Sequence, residues 1–448
     1  MGQQRIFVLG AGISGLCYSW YLKKCRPNTH VTLLEKTERI GGWIDTTISE
    51  GFLFEKGPRA FKAAKSASIL ELVKELNLEN ELVWKEEKKL DRYLWLEDKL
   101  HCLPQGLFSF LFSPITRPVV KALLTEWSRP AFQGDETVWE FACRRFNKEV
   151  ASRFFDPLVV GIFGGDARQI SIASCFPKLK EWEAQQGSVT KGMWRALKCK
   201  RHQPKFSEHV PHLPLSAFYS FRSGMQTLVD ALVRQLDAEI TTNAEALHIE
   251  RRGAEWIVHS TQGPRVADDL CLALPAAQSA RLLKPFVPDL AQELEQIISL
   301  GFAIINVGYR DSVLPLQGFG YLTQSLANEE VLGSVFDSSV FPEQSQTAHE
   351  TRLTIKLRDS AQKEEEAIQS ALRGARRHLS ITSAPDAIAF KRASYAIPQY
   401  GVGHLEKMVR LQQAIKERLP TCSLVGNYLS GVAVDQCIAH AKHVAQGH

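Results

Sequence analysis

At 448 residues the chain is too long for one ordinary domain and predicts two or three. Its 44% hydrophobic and 23% charged residues are those of a globular protein, and a modest, spread-out net charge of +5 excludes a nucleic-acid binder while suiting a carboxylate-bearing substrate or an anionic membrane surface. Nine cysteines without a CxxC pair and thirteen histidines without an HExxH cluster predict reduced cytoplasmic thiols and no metal.

The first forty residues carry the strongest signal. Ile6, Phe7, Val8 and Leu9 form the short apolar run of a buried parallel strand. Gly10, Gly12 and Gly15 follow at G-x-G-x-x-G spacing: one for a tight turn, one for close approach to a pyrophosphate, one for helix packing. A helix over residues 13–24 then points its N-terminal amides at the phosphates. A second strand, residues 31–34, ends in Glu35, whose carboxylate suits both ribose hydroxyls of an adenosine. The bland alternative is a glycine turn in an α/β domain. Nothing here reads as a signal peptide or, lacking a run of about eighteen apolar residues, as a membrane span.

Glu38-Arg39-Ile40-Gly41-Gly42-Trp43 brings a second glycine pair back towards the first. With Phe54-Glu55-Lys56-Gly57-Pro58-Arg59, it resembles the extended motif of FAD-binding oxidoreductases of the amine-oxidase and phytoene-desaturase type. Residues 66–78 have helical spacing, and 91–96 alternate as a strand. Arg92 on that strand points into a cleft or is merely solvated. Residues 103–127 are rich in phenylalanine and proline, and read as a buried helical turn or as a surface dipping into a membrane interface. Thr137 and Glu140 predict a capping box for a helix over 135–145. Three glycines in 161–165 predict a tight backbone wall or a plain loop. Residues 183–214, polar and basic, read as a mobile surface linker.

Residues 218–225 introduce a helix over 226–236. Strands follow over 240–260 and 267–274, re-entering the first domain. Residues 276–392 predict an α+β unit on a curved antiparallel sheet. Its strands are 302–309, 331–336 and 352–357, and residues 316–322 lie between them. The tail predicts a helix over 405–419, a strand over 423–427 and a last helix over 435–444, whose start is a second anion-friendly site.

Taken together, VLGAGISGL, ERIGGWI, FEKGPR, GIFGGDARQISIASCFP, LQGFGYL, IPQYGVGH and GVAVDQCI resemble the oxygen-dependent protoporphyrinogen oxidase family over essentially the full length. The resemblance implies FAD, O2 as acceptor, peroxide as product and a tetrapyrrole substrate in heme biosynthesis. It implies an α/β fold: a discontinuous Rossmann-type FAD-binding domain (1–89, 215–275 and 393–448), a helical membrane-associating subdomain (90–214) and an α+β substrate domain (276–392). It implies a peripheral, cytoplasmic-side membrane protein and is compatible with a homodimer. Residue by residue, it assigns flavin contacts to Gly10, Ala11, Gly12, Ile13, Ser14, Gly15, Glu35, Lys36, Trp43, Gly57, Pro58, Arg59, Ala60, Ala244, Val432, Ala433 and Val434. Substrate contacts fall to Arg92, as a propionate partner, and to Leu158, Gly164, Phe319, Leu322 and Ile397. No protein base is apparent. Coproporphyrinogen III oxidation is the nearest rival. Amine oxidation, carotenoid desaturation and a flavin-bearing scaffold are more distant ones.

Overall fold

The computed structural model describes residues 3–200, 204–325, 329–358 and 363–447, without the side chains of 107, 108, 199 and 200. Its first unit is a five-stranded parallel sheet. The order is Glu239–Thr241, Thr29–Leu34, Gln4–Leu9, Asp269–Leu272, Cys422–Leu424. The apolar run Ile6–Leu9 takes the central position because it is buried on both faces. Successive strands leave it in opposite directions, so a crevice opens at its C-terminal end, beside Gly10.

Helices cover both faces. Ile13–Cys25 and Val434–Ala445 pack against each other on one side, where Val8, Leu16 and Ile438 are fully buried. On the other side Leu9 and Trp256 meet Leu283 and Leu411. The helices Ala276–Leu283 and Pro288–Glu295 therefore belong to this sheet's core, not to the α+β unit that the sequence assigned from residue 276.

The second unit is a seven-stranded sheet. The order is Ala387–Pro398, Ser299–Tyr309, Thr351–Arg358, Val331–Val335, Gly320–Thr323, Arg92–Leu96, Lys99–Cys102. Its pairings are antiparallel except one: Arg92–Leu96 runs parallel to Gly320–Thr323. Two strands from the segment assigned as a helical subdomain, Arg92–Leu96, which was expected as a strand, and Lys99–Cys102, which was not, thus extend this sheet. The parallel partner lies more than two hundred residues away, so no hairpin signal announces it. The helix Glu364–Leu379 covers one face and buries Ala367, Ala371 and Ala375 against it.

Between Leu107 and Lys200 the chain is helical. Thr137 and Glu140 form the reciprocal cap of Val138–Arg145. The first half of the expected linker over 183–214 is instead helical, in Pro177–Gln186 and Val189–Lys200, and a loop follows; residues 201–203 lie outside the described ones. Lysine and arginine are good helix formers, and buried Glu183 anchors the first helix. Its carboxylate meets Arg144 at 2.7 Å and Lys180 at 2.8 Å. Residues 217–221, read as the approach to a helix, form the middle strand Ala217–Phe221 of a small sheet with Phe61–Lys62 and Leu82–Glu86.

Candidate active site

One continuous cavity of about 1410 Å³ runs from the crevice of the parallel sheet to the face of the seven-stranded sheet. Its nucleotide end is built from glycines. Gly10 sits at φ +103°, and a Cβ there would lie 2.5 Å from the Ala273 carbonyl oxygen. Gly12 starts the helix Ile13–Cys25 with no side chain capping it, which leaves first-turn amides for an anion. The second glycine pair returns to this turn: the Gly41 N–H donates to the Ala11 carbonyl at 2.9 Å, and Gly12 bridges Gly41.

Glu35 ends the second strand with its carboxylate already oriented. Oε2 accepts from the Ala11 N–H at 3.1 Å, and Oε1 accepts from the Thr37 N–H at 3.0 Å and hydroxyl at 2.9 Å. The Ala244 N–H donates to the Glu35 carbonyl at 2.8 Å, placing that residue on the adenosine side. These donors, the oriented acid and the uncapped helix fit an adenine dinucleotide.

The middle of the cavity is cationic. Arg59 pairs with Asp337 at 3.1 Å. Asp45 receives Lys391 at 2.7 Å, Lys56 at 3.5 Å and Arg39 at 3.8 Å. Burial works to raise its carboxyl, yet these three cations hold it below the usual range. The ammonium of Lys356 stands 3.9 Å from the Phe302 ring centre. Burial and, secondarily, Arg59 bring it down to about 8.

Beyond lies an apolar wall of Leu158, Val160, Phe302, Leu322, Leu332 and Ile397. Gly161 lets that wall close, since a Cβ there would meet Leu322 at 2.6 Å. At the mouth Phe319 and Phe218 pack with ring centres 5.1 Å apart. Arg92 lies 5.5 Å over Phe218 and pairs with Glu87 at 2.6 Å. Glu87 also holds Lys62. With 44% of its side chain exposed, Arg92 is a rim residue with a partner, not a bare cation in a dry cleft.

Of the residues picked from sequence, Gly10, Gly12, Ile13, Ser14, Glu35, Lys36, Trp43, Gly57, Pro58, Arg59, Ala244, Val432 and Val434 line the nucleotide half. Arg92, Leu158, Phe319, Leu322 and Ile397 line the other. Five stand behind the wall or beside it. Ala11 is buried, and Gly15 backs onto the Gly10 carbonyl. Ala60 packs beside Val83 and Leu90, and Ala433 starts the last helix. Gly164, expected against the substrate, caps the helix Asp156–Phe163 at φ +65°. It is small because the Phe302 ring fills the space beside it, and Phe302 takes the wall position. Lys356, Lys391, Lys62 and Phe218 escaped the sequence reading. A signal for Lys356 was present: Arg352, Thr354 and Lys356 put three polar side chains on one face of a strand that is otherwise buried.

Residues 13–447 match the family described as flavin containing amine oxidoreductase. The protoporphyrinogen oxidases of Bos taurus and Homo sapiens are each 32% identical, over 98% of this chain and 97% of theirs. The coproporphyrinogen III oxidase of Bacillus subtilis is 24% identical over 98% of this chain and 97% of its own length. Among solved structures, an Exiguobacterium protein superposes with a TM-score of 0.85 at 24% identity, covering 100% of this chain and 99% of its own. Cyclohexylamine oxidase of Brevibacterium oxydans gives 0.70 at 14%, covering 99% and 98%. The chain belongs to the flavin containing amine oxidoreductase family, as an oxidoreductase whose cofactor is FAD.

Proposed function

We propose that this enzyme oxidises protoporphyrinogen IX to protoporphyrin IX, with O2 as acceptor and peroxide as product. The observation that carries the reading is 32% identity to protoporphyrinogen oxidases along the whole chain, on a cavity whose far wall is apolar and whose mouth holds Arg92 and Lys62. FAD, when bound, supplies hydride acceptance from the substrate and electron transfer to O2. The chain supplies the rest. Leu158, Val160, Leu322 and Leu332 exclude water from the macrocycle, and Phe319 with Phe218 closes over its edge. Arg92 orients a propionate at the rim. Lys356, with an ammonium brought down to about 8, accepts at Nζ the proton released as the ring is oxidised.

The test compares protoporphyrinogen IX with coproporphyrinogen III by the rate of porphyrin fluorescence gain. Faster turnover of protoporphyrinogen is expected. A tetracarboxylate needs more cations around its edge than the paired Arg92 and Lys62 offer, so faster coproporphyrinogen turnover, or no porphyrin at all, overturns the reading.

We propose further that the helical segment docks peripherally on the cytoplasmic side of a membrane. No helix among the described residues is long and apolar enough to cross one. Supporting the reading, Leu107–Phe112 and its neighbours expose Phe112 (75%), Leu124 and Trp127, and the adjoining Val189–Lys200 exposes Trp194 (62%) and Leu197. Lys121, Arg129, Lys191 and Arg195 are exposed among them. Aromatic side chains beside cations are the composition of an interfacial surface. Phe108, part of the same phenylalanine run, has its side chain outside the described ones.

A further inference from the structure

Away from the cavity, three ligand-bearing side chains converge on a small antiparallel sheet. His248 and Glu250 are two residues apart on the strand Ala246–Arg252, so they share one face. His259, on Glu255–Ser260, is the cross-strand partner of His248. The opposite face carries buried Ile249, Trp256 and Val258 and is fixed by the core. That burial fixes the register, which in turn presents the two imidazoles and the carboxylate outward together.

The geometry is that of a coordination sphere. The Glu250 Oε1 lies 3.5 Å from His248 Nε2 and 3.3 Å from His259 Nε2. All three ligand atoms lie within 4.8 Å of one another. A tetrahedral centre with bonds of about 2.0–2.2 Å has ligand–ligand edges of about 3.3–3.6 Å. The imidazoles are stacked, with ring centres 4.0 Å apart and planes 11° from parallel, and both Nε2 atoms approach the same Glu250 oxygen. His259 Nε2 is shielded from solvent and has no hydrogen-bond partner. A shielded ring nitrogen that makes no hydrogen bond, 3.3 Å from a carboxylate oxygen and close to a second imidazole, is placed to share a Lewis acid with them.

We propose that His248, Glu250 and His259 form a binding site for one borderline divalent cation of the zinc, cobalt or nickel class, with water completing the coordination. Two imidazoles and one carboxylate favour such ions over magnesium or calcium, which take oxygen ligands. The half-exposed positions of His248 and Glu250 leave room for the water and an open entry path. Bound there, the cation clasps two strands of the sheet. The first of them begins at Ala246, which with Ala244 lines the nucleotide end of the cavity. The sequence expectation of no metal looked for linear clusters, whereas these ligands meet only through strand register.

The test is a Co2+ titration of the untagged, flavin-loaded enzyme, followed by the ligand-field bands that four-coordinate Co2+ shows at longer wavelength than flavin absorption. The expected result is saturation at one equivalent, reversal by Zn2+ but not by Mg2+, and loss of the bands in both His248→Gln and His259→Gln. His349→Gln, a surface histidine elsewhere, keeps them. Flavin spectra and circular dichroism establish that each variant is folded. Absence of the bands in the wild type under excess Co2+, or their persistence in both site variants, overturns the proposal.

Discussion

Two glycines of one motif carry different duties. A Cβ on Gly15 would lie 2.1 Å from the Gly10 carbonyl oxygen, whereas one on Gly12 meets nothing closer than the Gly42 Cα at 3.7 Å. Gly15→Ala is therefore expected to destabilise the fold itself. Gly12→Val is expected to fold but purify without flavin, because its side chain occupies the pyrophosphate's approach. Thermal melts with flavin quantitation separate the two, and a yellow Gly12→Val protein contradicts the assignment. Arg92 is half-exposed and already paired, so its removal should weaken substrate binding by about 1 kcal/mol, roughly fivefold in KM, with flavin content unchanged. Arg92→Lys recovers only part of this, since an ammonium lacks the two-pronged geometry. Equal KM values for wild type and Arg92→Ala would leave it a surface residue. For Lys356, a neutral amine is the proton acceptor, so kcat should rise with pH through about 8, and Lys356→Met should lose that inflection. The stability linkage has the same direction. The unfolded lysine titrates near 10.5, so between the two values the unfolded chain holds more protons and stability rises with pH. Parallel wild-type and variant profiles in both measurements refute the role. The glycines and Glu35 were legible because the phosphate turn is local in sequence. Lys356 and Lys391 were not, since each reaches the cavity from a long strand whose neighbours are distant in the chain.

Elements were legible where periodicity was strong. The strands Gln4–Leu9, Ser299–Tyr309 and Thr351–Arg358 and the helices Ile13–Cys25, His404–Arg418 and Val434–Ala445 fall where the apolar pattern puts them. Assignment of elements to sheets was harder. Arg92–Leu96 reads correctly as a strand, yet its partner Gly320–Thr323 is dictated by tertiary packing rather than by any turn. The helix Val189–Lys200 was hidden by its many cations, although Met193, Trp194 and Leu197 recur at helical spacing. Those exposed residues give the element-level prediction. Phe112→Ser, Trp127→Ser and Trp194→Ser together should release the enzyme from anionic liposomes in co-sedimentation, while activity in detergent stays largely intact. A wild type that never pellets with the vesicles rules the membrane surface out.

At the scale of the molecule, the discontinuous parallel sheet sets the design. Five segments of the chain supply its strands, and the cavity lies where this sheet faces the seven-stranded one. The closing helix Val434–Ala445 locks that arrangement through Ile438, which is fully buried against the first helix. Ile438→Ala should cost about 2–5 kcal/mol through the lost contacts and the cavity left behind. Denaturant unfolding measures it, and a loss below about 1 kcal/mol would mean that the helix is peripheral to the core.

The same discontinuity governs how the protein is made. A nascent chain carries its glycine turn from early on, but the strand Cys422–Leu424 and the wall residues Val432 and Val434 follow more than four hundred residues later. Until then the flavin crevice has an open edge, and apolar faces meant for Cys422–Leu424 and Ile438 stand uncovered. The pairings that complete it are of very long sequence separation, which slows folding and prolongs exposure to aggregation. Cofactor capture is therefore expected only after translation: a ribosome-stalled chain ending before residue 422 should hold no FAD, and one that does hold it overturns the expectation.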